Sequence, residues 1–329
     1  MNVRFSVHFL IRLFLAILLI PGLVIAQPDT ARFSFRRGLM GTQFTLTFFA
    51  PDSLTAYRVN SAVNARMDSL NQVMSDYMDG SEINRLSETS GQNRWVRVSP
   101  DLFAVLQKAK TIAQQSKGRF DPTIGPLSLL WRRAVRRGEF PSATVRRQAH
   151  RAVGYRYMLL DSVTRSVKLL RPGMRLDVGG IGQGFATDEA ARLLRRLGVN
   201  AFVMDIGGDV LAGDGNWTVA LDSAVITLHN AAITTSGDVY RHLDYRGRRY
   251  SHIMNPRSGL GLRHFVRVTV LAPDGYRADA LTKVFSVARS WPFWWHKSRR
   301  LLRHFPGVKV LIVENKRGRL RKWQSAPFP

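Results

Sequence analysis

The chain contains no cysteine. That removes disulfides, a thiolate nucleophile, thiolate-bound zinc and the lipid-modified cysteine of a lipoprotein, so stability has to come from burial. Acidic residues are scarce, 23 Asp and Glu against 49 Lys and Arg. None of the eight histidines stands in an H-x-H or H-x-x-x-H spacing, which argues against a histidine-built metal site. Internal repeats and low-complexity linkers are also missing, as in a single domain rather than an array. Long apolar runs are confined to the N-terminus, where Arg4 and Arg12 lead into Leu13 to Ile25, shorter than the ~20 residues that span a bilayer. With Ala26 closing that run, residues 1–26 read as a signal peptide, the alternative being an uncleaved anchor. The expectation is an exported, periplasmic protein whose working part is residues 27–329.

What is present is a 329-residue chain with 45% hydrophobic residues, enough for one large core. Its formal charge of +26 gathers at Arg132-Arg133, Arg136-Arg137, Arg146-Arg147, Lys297 to Arg303 and Lys316 to Lys322. Such a field attracts polyanions, anionic membranes and acidic partners. Solvated helix faces and loops explain the clusters more simply, and no nucleic-acid partner is expected. Trp291 to Trp295, followed by Lys297, Arg299 and Arg300, admits a contact with the inner-membrane surface. The preferred reading buries several of these aromatics with Leu301 and Leu302 and leaves the arginines wet.

Alternation of Phe44, Leu46 and Phe48 predicts a half-buried strand after Met40-Gly41-Thr42. Val59, Val63, Met67, Leu70 and Met74 share one helix face, which ends in the loop Ser75 to Gly80. Ser99-Pro100 starts a second helix, with Ser as N-cap and Pro at the first helical position, running to near Lys117-Gly118. Pro126 to Arg151 reads as basic helix with a polar loop and suggests no chemistry. Arg175 to Val178 is expected as a strand, followed by the turn Gly179 to Gly184, a helix through Ala190 to Leu197 capped by Gly198, and a strand Ala201 to Asp205. Short strands continue to Val270. A helix from near Ala278, an aromatic-basic helix from Trp291 to Phe305 and a closing strand Val308 to Val313 complete one mixed α+β domain.

Three places suggest chemistry. The glycine-rich turn opening a helix can aim backbone N–H groups at a phosphate. It is not a dinucleotide fingerprint, because Phe185 stands where Gly180 and Gly182 require a third glycine, and close packing is the competing role of the glycines. His252 lies in a turn-rich segment with Asn255-Pro256 and Ser258-Gly259; an imidazole, titrating near 6.5 in free peptides, can take a proton from a hydroxyl, although a structural histidine is commoner. Asp279 shares a helix face with Thr282 and Lys283, offering either hard oxygens for Mg²⁺ or an ordinary i, i+4 ion pair.

Together the segments resemble the FAD:protein FMN transferase (ApbE-like) family, in that family's order. The resemblance is carried by Met40-Gly41-Thr42, Met74 to Tyr77, Ser81 to Asn84, Gly118 to Pro126, Leu176 to Gly184, Gly207-Gly208-Asp209, Thr235 to Asp238, His252 to Pro256 and Ala278 to Leu281. It implies a T-fold-related α+β domain and a transferase that moves FMN from FAD to a Thr or Ser hydroxyl of an exported or membrane redox protein. It further implies that Met40, Tyr77, Arg119, Phe120, Asp121, Asp177, Gln183 and His252 meet FAD, with His252 as base. A Mg²⁺ ion on the diphosphate would be held by the Gly180 backbone oxygen, Asp279 and the helix residues after it.

Two positions depart from the family's pattern. Many relatives have Lys at Gln183 and Thr at Lys283. The second leaves two readings of the cation site: Thr282 supplies the missing oxygen to a metal, which the ligand chemistry favours, or the Lys283 ammonium takes over part of the cation's role. An FAD pyrophosphatase giving FMN and AMP, and a non-catalytic FAD-binding protein, remain alternative functions.

Overall fold

The computed structural model describes residues 30–221, 224–237, 242–263, 266–289, 294–316 and 319–328, the side chains of 224, 315 and 316 excepted. The expected signal peptide, Asp238 and Trp291 to Phe293 lie outside the described residues. The first elements are β1 (Ala31–Leu39), β2 (Thr42–Ala50), α1 (Ser53–Met74), α2 (Glu82–Glu88), β3 (Val96–Arg97) and α3 (Pro100–Gln115). Next come α4 (Gly125–Arg137), α5 (Ala143–Arg151), β4 (Met158–Asp161), β5 (Ser166–Leu169), α6 (Gly182–Arg196), β6 (Phe202–Ile206) and β7 (Asp209–Ala212). Hairpin strands follow: β8 (Trp217–Leu221), β9 (Ala224–Leu228), β10 (Ala231–Gly237), β11 (His242–Tyr245), β12 (Arg248–Ser251), β13 (Met254–Asn255) and β14 (Leu260–Gly261). The chain closes with β15 (Val266–Ala272), α7 (Gly275–Ala288), α8 (Trp294–Leu302), β16 (Lys309–Lys316) and β17 (Arg319–Gln324).

An eight-stranded antiparallel sheet runs in the order β1-β2-β6-β7-β10-β15-β16-β17. A three-stranded sheet β3-β5-β4 and three hairpins complete the strands. Helix α1 lies on β1 and β2, α6 on β6 and β7, and α7 on β7, β10 and β15. Helices gathered on an antiparallel sheet are an α+β arrangement, as the sequence predicts.

The best-patterned elements form where their residues dictate. Phe44, Leu46 and Phe48 are buried in β2, and Val59, Val63, Met67, Leu70 and Met74 form the buried stripe of α1. Ser99 caps α3, its hydroxyl accepting the Leu102 N–H at 3.2 Å. Both outer strands of the large sheet are absent from the sequence reading. β1 carries Arg32, Arg36 and Arg37, and β17 carries Arg319, Arg321 and Lys322, so charge masks their alternation. Charged side chains on an edge discourage pairing with a second sheet, which explains part of the C-terminal basic cluster.

Three expectations are corrected. Arg175 to Val178 makes only an isolated bridge between Arg175 and Ile124, because its N–H groups are taken by other partners: Leu176 donates to Ser87 Oγ at 3.0 Å and Asp177 to the Pro122 carbonyl at 2.8 Å. The late helix starts at Gly275, not near Ala278, since Asp274 caps it by accepting the Arg277 N–H. The chain continues past the expected closing strand into β17. In α8, Leu301 is buried and Trp294 packs on Trp323 at 5.5 Å, while Trp295 keeps 41% of its surface exposed.

The contact that positions the site is between α6 and α7. Gly184 and Gly275 meet with no side chain between them: a Cβ on Gly184 would lie 2.1 Å from the Gly275 carbonyl oxygen, and one on Gly275 would lie 2.5 Å from the Gly184 oxygen. Asp188, one turn along α6, accepts the Gly275 and Tyr276 N–H groups at 2.7 and 3.0 Å and so satisfies the start of α7. Gly184→Ala forces these backbones apart and is expected to destabilise the fold by about 3 kcal/mol, as overpacking against rigid backbone does. Urea unfolding measures this; an unchanged midpoint would contradict the contact.

Candidate functional site

The turn Asp177 to Gly184 is built by internal bonds. Asp177 Oδ1 accepts the Gly179 N–H at 2.8 Å, Ile181 and Gly182 donate to the Val178 carbonyl at 3.0 and 2.7 Å, and Gly184 donates to Asp279 Oδ2 at 3.3 Å. The packing role therefore applies to Gly184, and the turn brings the positive end of α6 to this place. Gly180 sits beneath two side chains from distant segments: a Cβ there would be 3.3 Å from the Phe120 ring and 3.5 Å from Lys283 Cγ.

On α7, Asp279 is fully buried and its Oδ1 accepts from Lys283 Nζ at 2.5 Å. The side chain of Lys283 keeps 26% exposure. Thr282, also buried, donates its hydroxyl to the Asp279 carbonyl at 2.7 Å. Asp209, at the start of β7, faces the same group. Desolvation first, and then the Asp279 carboxylate, raise its pKa to about 8 against the pull of Lys283 and a bond from Thr234. Desolvation alone would lower Lys283, yet the carboxylates of Asp279 and Asp209 hold its ammonium above the ordinary value.

These positions test the expected Mg²⁺ ligands, and the residues do not fit. Asp279 has one oxygen on Lys283 and the other on the Gly184 N–H. Thr282 is turned into its own helix, its hydroxyl donating to the Asp279 carbonyl. An ion about 2.1 Å from Asp279 Oδ1 would compete with an ammonium already 2.5 Å from that oxygen. The Asp279 face beside which Thr282 is expected as ligand is filled by a cation of the chain itself.

A second cluster centres on Arg132 of α4, from the segment to which the sequence assigned no chemistry. Its guanidinium pairs with Asp76 and with Asp177 Oδ2 at 3.0 Å, and lies over the Tyr77 ring at 4.1 Å. Arg175 reaches Asn84 Oδ1 at 2.8 Å, and Asn84 donates to the Met78 carbonyl at 2.8 Å, which fixes the loop holding Tyr77. Burial first, then Asp177, raise the Asp76 pKa to about 6 against Arg132. The adjacent Trp131 donates from Nε1 to the Ser251 carbonyl at 3.0 Å. One helix thus ties the Asp177 turn to the turn carrying His252, which is exposed between buried Ser251 and Ile253. Arg257 of that same segment donates to the Lys117 carbonyl at 2.6 Å, beside Arg119.

The other expected FAD contacts differ in their surroundings. Tyr77 is 71% exposed, and Gln183 is half-buried in the first turn of α6. Arg119 is buried and donates to the Ser116 carbonyl at 2.6 Å, while desolvation and then Arg257 lower its pKa. Asp121 has both oxygens engaged, by Thr123 and by the Tyr155 N–H at 2.9 Å, so it anchors the loop that presents Phe120. Met40, at φ 48° in the β1–β2 turn, lines an open cleft of about 710 Å³ shared with Arg37, Asp68 and Asn71. That lining includes neither Tyr77 nor His252. Packing connects it onward instead: a Cβ on Gly207 would lie 2.7 Å from Thr42 Oγ1, two residues from Asp209.

Asp76, Arg132 and Asp209 are the residues that sequence reasoning left without a role. Local pattern carries no signal for them, since Arg132 meets partners 56 and 45 positions away. Asp209 generates a prediction. A carboxyl whose native pKa is raised from 3.8 to about 8 binds an extra proton in the folded state, so its contribution is present at low pH and lost as pH rises through about 8. Asp209→Asn never charges, and its stability should therefore gain on that of the parent chain between about pH 5 and pH 9. Urea melts at both pH values check this; a constant difference, or one of opposite sign, would contradict the raised carboxyl.

The chain is similar to known proteins over most of its length. The model of the ApbE family matches residues 40–311. The FAD:protein FMN transferase of Klebsiella pneumoniae is 30% identical over 266 residues, 77% of this chain and 82% of the relative. That of Haemophilus influenzae is 27% identical over 292 residues, 82% of this chain and 84% of the relative. Among solved structures, a mutant of the flavin transferase ApbE from Vibrio cholerae superposes with a TM-score of 0.80 at 21% identity, covering 90% of this chain and 98% of the other. The apo flavinyl transferase ApbE of Pseudomonas stutzeri gives 0.79 at 24%, covering 90% and 95%. The two structures establish the fold, and the family match spans every segment built into the two clusters: the chain belongs to the ApbE family.

Proposed function

We propose that this protein is an FAD:protein FMN transferase, which moves the FMN half of FAD onto a Ser or Thr hydroxyl of an exported redox protein and releases AMP. Family membership and the names of its relatives support the reading. The observation that carries it is the continuity of contacts among distant segments: Tyr77 to Arg132 to Asp177, Trp131 to Ser251, and Phe120 to Gly180 to Lys283 to Asp279. In this reading the protein acts after export, supported by the arginines and apolar run of residues 1–26.

The acceptor oxygen attacks the phosphorus of the FMN half. A phosphoester forms, the bond to the bridging oxygen breaks, and that oxygen leaves with AMP. The hydroxyl proton passes to the His252 imidazole, whose exposed turn gives an acceptor protein access. The positive end of α6 and the cation beside Asp279 face the diphosphate and relieve its charge. Arg132 fixes Asp177 and the Tyr77 loop, and the exposed Tyr77 ring offers a surface for the flavin or adenine.

Incubation of the purified chain with FAD and a Thr-containing acceptor peptide should yield a covalent flavopeptide and AMP. Free FMN without flavopeptide would assign hydrolysis instead, and no turnover would assign binding alone. His252→Ala should lower transfer by about 10²-fold or more while FAD affinity is kept. Transfer at the parent rate would remove His252 as the base.

A further inference from the structure

We infer that the Lys283 ammonium is the resident cation of the FAD diphosphate site, so that FAD is held without a divalent metal. The inference rests on the proposed function for the ligand, but the cation is read from this chain's own geometry.

Asp279 and Asp209 come from α7 and the start of β7 and are both buried. Two carboxylates in such a place require a cation, a proton or both. Lys283 supplies the cation from one turn along the same helix, with Nζ 2.5 Å from Asp279 Oδ1. Its stem is held in place: Cγ and Cε pass 3.5 and 3.6 Å from the position of a Cβ on Gly180, beside the Phe120 ring. A Cβ at Gly180 would press on the Phe120 ring at 3.3 Å and touch the lysine stem at ordinary contact distance.

The ammonium has three N–H donors, of which Asp279 Oδ1 takes one, and the Lys283 side chain keeps 26% exposure. It can therefore donate to a phosphate oxygen without leaving Asp279. A divalent ion on the same oxygen would have to expel it, for the two positive charges would be in contact. Thr282 is buried, its hydroxyl donating to the Asp279 carbonyl of its own helix. The site thus trades an exchangeable double charge for a fixed single one, which the Asp279 carboxylate balances.

Quenching of flavin fluorescence on titrating the purified chain into FAD tests this without turnover. Affinity in EDTA and in excess Mg²⁺ should agree within about twofold. In Lys283→Thr the ammonium is removed and a hydroxyl offered beside Asp279. FAD affinity in EDTA should then fall by about tenfold or more and recover with Mg²⁺, and Mn²⁺ should become immobilised in its electron paramagnetic resonance spectrum. An affinity of the unsubstituted chain that collapses in EDTA and returns with Mg²⁺ would overturn the resident cation and leave flavin transfer standing. FAD binding absent in both conditions would overturn the flavin reading and the inference with it. Lys283→Met, which keeps the stem over Gly180, controls for packing: unchanged FAD affinity in EDTA would overturn the role of the charge.

Discussion

The geometry of the site depends on how closely two helices approach. Gly184 of α6 and Gly275 of α7 bring backbone against backbone, and Asp188 locks the approach by accepting the first N–H groups of α7. With the helices at that separation, Asp279 reaches the Gly184 N–H and Lys283 passes over Gly180. Wider spacing would break both. The glycine-rich turn is therefore a spacing device first, and its electrostatic service to an anion follows from where it sets the helix end.

The second constraint is electrostatic. A chain with 49 basic and only 23 acidic side chains places several acids indoors. Asp76 and Asp177 share Arg132, while Asp279 and Asp209 share Lys283. Removing one partner from such a set leaves a buried charge without compensation, which costs more than the pair itself contributes. Elsewhere the excess of Arg and Lys has simpler uses, such as guarding the edge strands β1 and β17.

Much of the fold is legible in the sequence where a local pattern meets a clean period or a cap. The stripe of α1, the Ser99 cap of α3 and the alternation of β2 are of this kind. The pattern fails where charge overwrites it, as in β1 and β17, and where extended residues pair with loops and side chains rather than a strand, as in Arg175 to Val178. The site is legible as a set of segments, because short motifs mark it. Its wiring is not. Arg132 lies in a basic run indistinguishable from solvated neighbours until Asp76 and Asp177 are brought to it by the fold. Lys283 departs from the expected Thr, and only the position of Asp279 and the inward turn of Thr282 separate the two readings of that change.

The most direct test is an experimental structure of the chain with FAD bound in the presence of excess Mg²⁺. The account predicts diphosphate oxygens within hydrogen-bond reach of Lys283 Nζ, close to Gly180 and the start of α6, with no density for a metal between them. A diphosphate lying away from Lys283, or an ammonium swung clear of Asp279 by a bound ion, would contradict it.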